Sequence, residues 1–179
     1  MPDFKSLWES ASPFETFVAA DSTHHALWDG IYRLARLPEW AAGVVVPRPT
    51  RLLVLAEDWC GDALGTLPAL ARLAEKVPQL ELRVLARDQN LDVMDAHLTR
   101  GARAIPVVIV LDEDYQELGW WGSRPDPLQR WVTSSEAQQL SKEDRYREIR
   151  RWYSRDRGRT ALEEITQLLE RGATIEEVA

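Results

Sequence analysis

Cys60 is the residue with the most chemistry to offer, because it is the only cysteine among 179 residues. One thiol can form no disulfide within the chain and cannot build a cysteine-rich zinc or iron–sulfur site. It can act as a nucleophile where its surroundings favour the thiolate. Arg51-Leu-Leu-Val-Leu-Ala56, just before it, reads as a strand covered on both faces. A helix is expected from about Asp62 to Val77, with Leu64, Leu67, Leu70 and Leu73 on or near one face. Cys60 then lies where strand turns into helix. There the unpaired N–H groups and the positive end of the helix dipole favour thiolate over thiol. The competing reading is an inert buried cysteine. Asp62 works against the helix, since a carboxylate beside the sulfur opposes the thiolate, although it could also assist proton movement.

The elements around Cys60 suggest an α/β chain. Leu80 to Ala86 is a second strand-like run, so strand, helix and strand form a right-handed parallel βαβ unit. A helix is expected over Asp92 to Arg100, closed by Gly101. Val107 to Leu111 is strongly β-branched, and Asp112-Glu-Asp114 turns it into a hairpin partner from Tyr115 to Trp121. Trp120 and Trp121 are adjacent, so they must point to opposite faces of that strand. In front, Leu27, Ile31 and Leu34 recur at helical spacing, with Ser22 or Asp21 as N-cap. Behind, Pro125 or Pro127 starts one helix and Ser141 caps another running to about Asp156. Thr160-Ala-Leu-Glu163 fits a capping box for a last helix, ended by Gly172.

These residues carry a resemblance. Residues 51–132 resemble a thioredoxin fold: Trp59-Cys60-Gly61-Asp62-Ala63 stands where that family carries Trp-Cys-Gly-Pro-Cys. Pro68 matches its helix proline, Ile105-Pro106 its cis-proline, Gly122 the glycine after its last hairpin, and Asp88-Gln-Asn90 its short acidic stretch. The resemblance implies a three-layer α/β/α sandwich with a central mixed sheet. Here it is extended by helical segments over 1–50 and 133–179, the whole read as a single domain. It also implies that Cys60 is the attacking thiol and that backbone at Ile105 and Pro106 pairs with an extended peptide. Trp59 would offer a flat apolar surface, and Gly61 and Ala63 would complete the site.

The departures matter as much. Ala63 replaces the second cysteine and cannot attack a mixed disulfide, so the ordinary dithiol cycle is closed to a single chain. Asp62 replaces the family's proline, and Val54 stands where the family has a buried acid. Three readings follow. The first is a monothiol site that exchanges with a protein disulfide or a low-molecular-weight thiol adduct. The second is a peptide-binding module without redox activity. The third is a thiol redox sensor.

The remaining sequence narrows the partners. His24 and His25 point about 100° apart on a helix, and His97 is distant, so no metal site is read. There is no phosphate loop and no zinc spacing, so no cofactor is expected. A net charge of −7 argues against generic binding to nucleic acid or anionic membrane. The stretch 145–159 departs from that balance, with seven Arg against Glu148 and Asp156. Tyr146, Ile149, Trp152 and Tyr153 interleave with it, as in an amphipathic helix with Arg outside. No run is long and apolar enough for a membrane span, and the start lacks a signal-peptide pattern, so a reducing cytoplasm is the expected compartment. Oligomeric state is left open, a homodimer included.

Overall fold

The computed structural model describes residues 2–20 and 22–177, with side chains described as far as Gly172. Asp21, one of the two N-cap candidates, lies outside the described residues, and the other, Ser22, is not the N-cap of the helix that begins at His25, a position His24 takes. The elements run α1 (Phe4–Ser10), β1 (Ser12–Pro13), α2 (Phe14–Ala19), α3 (His25–Leu34), β2 (Thr50–Ala56), α4 (Gly61–Lys76) and β3 (Leu80–Ala86). They continue with α5 (Leu91–Ala96), β4 (Val107–Leu111), β5 (Glu117–Gly122), α6 (Asp126–Val132), α7 (Ser135–Gln139), α8 (Lys142–Asp156) and α9 (Arg159–Glu177).

The strands form one mixed sheet in the order β1-β3-β2-β4-β5. β2 and β3 are parallel, as the βαβ reading requires, and the other pairs are antiparallel. β2 is central, and Leu52 to Ala56 are wholly buried, which is why that run is continuously apolar. The register puts Leu53, Ile109 and Trp120 on one face and Val54, Val108 and Trp121 on the other. Trp120 stacks edge-on against His97, just beyond α5, at 5.6 Å, and His97 in turn meets Phe4 of α1. On the opposite face the Trp121 Nε1–H donates to Glu164 of α9 at 2.6 Å. The two tryptophans therefore anchor different helical layers, and the sheet is covered on both sides.

Four further sequence expectations change. The helix after β3 ends at Ala96 rather than Arg100. His97 is turned inward, where its Nδ1–H donates to the Val93 carbonyl at 2.7 Å and its other nitrogen meets Glu117 at 3.2 Å. This draws the chain out of the helix, and Arg100 and Gly101, both at positive φ, form a separate turn. The capping box at Thr160 does not form. Instead the Asp156 carboxylate accepts the Thr160 N–H, and α9 begins at Arg159. Gly172 lies within α9 rather than at its end. Finally, Leu27, Ile31 and Leu34 face solvent, the core side of α3 being Trp28 with Tyr32.

Candidate functional site

The site is built at the junction of β2 and α4. Cys60 is the N-cap of α4, with extended φ and ψ of −82° and 112°. Its carbonyl accepts the first helical bond from Leu64 N–H at 3.0 Å. Its sulfur accepts from the Ala63 N–H at 3.5 Å, the sulfur doing what a capping oxygen usually does. On its other side the Cys60 S–H donates to the Ile105 carbonyl at 3.4 Å. The Ile105–Pro106 peptide bond is cis. Pro106 is followed by β4, and Gly122 at the end of β5 lies against it. A Cβ at Gly122 would stand 2.8 Å from the Pro106 carbonyl oxygen, so a side chain there would force the two strands apart. Pro68 sits inside α4, so the helix does not begin at that proline.

Cys60, Asp62, Ala63, Ile105 and Pro106 are thus brought together, with Trp59 and Gly61 alongside. Cys60 retains 8% exposure, whereas Trp59 retains 53% and lies beneath the Arg87 guanidinium at 5.3 Å. Ala63 is wholly buried. Burial pushes the Cys60 thiol up from its ordinary value, the Ala63 N–H pulls it down, and Asp62 adds to the rise. The thiolate-favouring effect expected of the helix start is present, but the loss of water outweighs it.

Asp62 is the residue whose surroundings the sequence did not foretell. Its carboxylate is held by Arg124 in a two-pronged pair, with Nη2 at 2.6 Å and Nε at 2.9 Å. The Tyr153 hydroxyl donates to the same carboxylate at 3.1 Å. Burial, with Asp62 next, pushes Tyr153 far up, so the phenol stays a donor. Arg124 follows β5 and Tyr153 lies on α8, so two distant segments converge on the helix that carries the thiol. No local pattern marks either residue. The one available signal was the aromatic spacing of 146–153, which placed Tyr153 on the buried side of its helix.

α3 supports the loop before the sulfur. Trp28 is buried, and its Nε1–H donates to the Asp58 carbonyl at 2.8 Å, while His24 pairs with the Asp58 carboxylate at 3.3 Å. His25 bonds instead to the Val18 carbonyl. None of the three histidines joins Cys60. Trp28→Phe removes that indole donor and leaves a gap, so it is expected to cost about 2 kcal/mol in urea denaturation. It is also expected to raise the alkylation rate of Cys60, because the loop covering the sulfur loses its anchor. An unchanged rate would mean that α3 does not control access.

A thiol at a helix N-terminus beside a cis-proline, on a mixed sheet covered by helices, defines a thioredoxin-like protein. A thioredoxin family model matches residues 11–164, and the chain belongs to that family. No curated protein matches it. Among solved structures it is similar to an HIV epitope scaffold, with TM-score 0.74 and 22% identity over 94% of this chain and 98% of that one. It is also similar to a protein of unknown function from Pseudomonas aeruginosa, with TM-score 0.66 and 22% identity over the whole of both chains. At that identity the likeness concerns the fold. Among the described residues no helix is long and apolar enough to cross a membrane.

Proposed function

We propose that this protein performs monothiol exchange, with Cys60 taking a partner as a mixed disulfide. The observation that carries the reading is the placement of the chain's one thiol. Its sulfur touches both the Ala63 N–H and the Ile105 carbonyl, beside the Ile105–Pro106 backbone just before β4, with which an extended peptide would pair. Cys60 gives its proton to solvent, and the thiolate attacks one sulfur of a disulfide. A Cys60–sulfur bond forms as the old disulfide breaks, and the departing thiolate takes a proton. With Ala63 in place of a resolving thiol, release needs a second, external thiol, which is oxidised as Cys60 is reduced. The substrate class is a protein disulfide or a low-molecular-weight thiol adduct.

The raised thiol sets the character of this exchange. Few molecules are ionised at neutral pH, but a high-pKa thiolate is intrinsically more nucleophilic and a poorer leaving group. The mixed disulfide is therefore long-lived, and the site holds its partner rather than turning it over rapidly. The rate of alkylation by iodoacetamide is expected to rise with a midpoint above about 8.5, the value for free cysteine. Glutathione disulfide at pH 9 should add one adduct at Cys60, removable by dithiothreitol. A Cys60 that reacts only after unfolding would sink the proposal.

That failure would favour a second reading, which the Cys60 S–H bond to the Ile105 carbonyl supports. A neutral thiol held there acts as a hydrogen-bond donor within a peptide-binding groove. Cys60→Ser keeps a donor at that position, and such a protein would retain its partners.

A further inference from the structure

The outer face of α8 is not used by the site just described. We infer that it is a docking surface for an acidic protein segment rich in aspartate or glutamate. Tyr153 and Ile149 turn inward, and Arg147, Arg150, Arg151, Ser154 and Arg155 line an open depression of about 340 Å³ on the outside. Arg147, Arg151 and Arg155 follow one another at i, i+4, a spacing at which like charges destabilise a helix. Arg147 is answered by Glu143 and Asp144, and Arg151 by Glu148. Among the described residues Arg150 and Arg155 have no carboxylate partner. Arg155 lies in the last turn of α8, where the helix dipole favours a cation, but Arg150 gains no such partner from folding, and an anionic occupant would meet both.

The shape identifies the occupant. The guanidinium groups are strung along two helical turns, about 12 Å from Arg147 to Arg155. No buried polar side chain closes the depression around a single ion. An extended chain with carboxylates every few ångströms matches that row, each carboxylate meeting a planar fork of donors. A long polyanion such as RNA matches it less well, because the surface beyond the row belongs to an acidic protein. Tyr153 ties α8 to Asp62, so the docked segment sits on an element bonded directly to the Cys60 helix. The inference does not require Cys60 to react, and it stands or falls apart from the exchange chemistry.

The test is fluorescence anisotropy with a labelled peptide of about twelve glutamates, long enough to span the row. Binding to the full chain is expected to weaken steeply with added salt. Arg150→Glu with Arg155→Glu should weaken it by about tenfold or more, since two exposed charges turn from attractive to repulsive. Arg33→Glu with Arg36→Glu makes the same change in net charge at the end of α3 and just beyond it, and it should weaken binding by less than about twofold. Circular dichroism confirms that both variants fold. No binding, equal weakening by the two pairs, or tighter binding of a twelve-nucleotide oligouridine would each overturn the proposal.

Discussion

Arg124→Met is expected to destabilise the protein by about 3 kcal/mol, because it leaves the Asp62 carboxylate buried without its counter-charge. The Asp62 and Arg124 side chains are 12% and 20% exposed, so solvent screens the pair only weakly. That residual exposure places the figure at the low end of the range for a broken buried pair. For a chain of this size the melting temperature should fall by about 6–12 °C. Asp62→Asn alone strands the Arg124 guanidinium and loses the charge-assisted bonds. The double variant Asp62→Asn with Arg124→Met removes both charges and should be more stable than Arg124→Met alone. Thermal and urea denaturation of the four proteins measure the coupling directly. A loss below about 1 kcal/mol in Arg124→Met would show that the pair is solvated rather than structural.

The same substitution has a chemical consequence with a definite sign. Asp62 pushes the Cys60 thiol up and Arg124 pulls it down. Removing Arg124 leaves the carboxylate unopposed, so the midpoint of Cys60 alkylation should move to higher pH and the rate at pH 8 should fall. Asp62→Asn should move both in the opposite direction. The pH dependence of stability follows from the same shift. A thiol raised in the folded state stabilises the fold at pH values below the free thiol's, and that contribution is lost as pH rises through the folded value. The loss therefore falls on the alkaline side and has no acid counterpart at Cys60.

How much of this was visible in the amino-acid sequence depended on whether the cause was local. The strand before Cys60 and the Ser141 cap of α8 rest on short patterns, whereas the cis bond at Pro106 was expected only from the family resemblance. Ser141 Oγ does accept from Asp144 N–H, at 3.1 Å. The outer helices depend on partners far along the chain. In α3 the stripe Leu27, Ile31 and Leu34 has a helical period, yet Trp28 occupies the interior because it meets Phe14, Phe17 and the Asp58 carbonyl. Periodicity identified the helix but not which of two apolar sides was the core. At the site, sequence pattern located the sulfur and the carboxylate. It could not show that a guanidinium 62 positions away and a phenol 91 positions away hold that carboxylate.

The second large effect is expected at Gly65, in the second turn of α4. Glycine inside a helix ordinarily costs about 0.5–1 kcal/mol relative to alanine, so propensity alone makes Gly65→Ala stabilising. The structure reverses the sign. A Cβ at Gly65 would lie 2.4 Å from the Tyr153 ring, which is buried and bonded through its hydroxyl to Asp62. The ring cannot give way without releasing that bond, and α4 cannot shift without moving the N-cap that is Cys60. Overpacking of this kind costs about 3 kcal/mol, which exceeds the propensity gain several-fold. Gly30 in α3 is the matched control, since a Cβ there would meet nothing within 4 Å. Gly30→Ala is therefore expected to raise stability by about 0.5–1 kcal/mol. Opposite signs for one substitution at two helical glycines, measured by urea denaturation, would show that Tyr153 holds α8 against the site helix by direct contact. A stabilised Gly65→Ala would mean that the ring moves aside freely. In that case Asp62 depends on Arg124 alone, and the Cys60 alkylation profile should be unchanged in Tyr153→Phe.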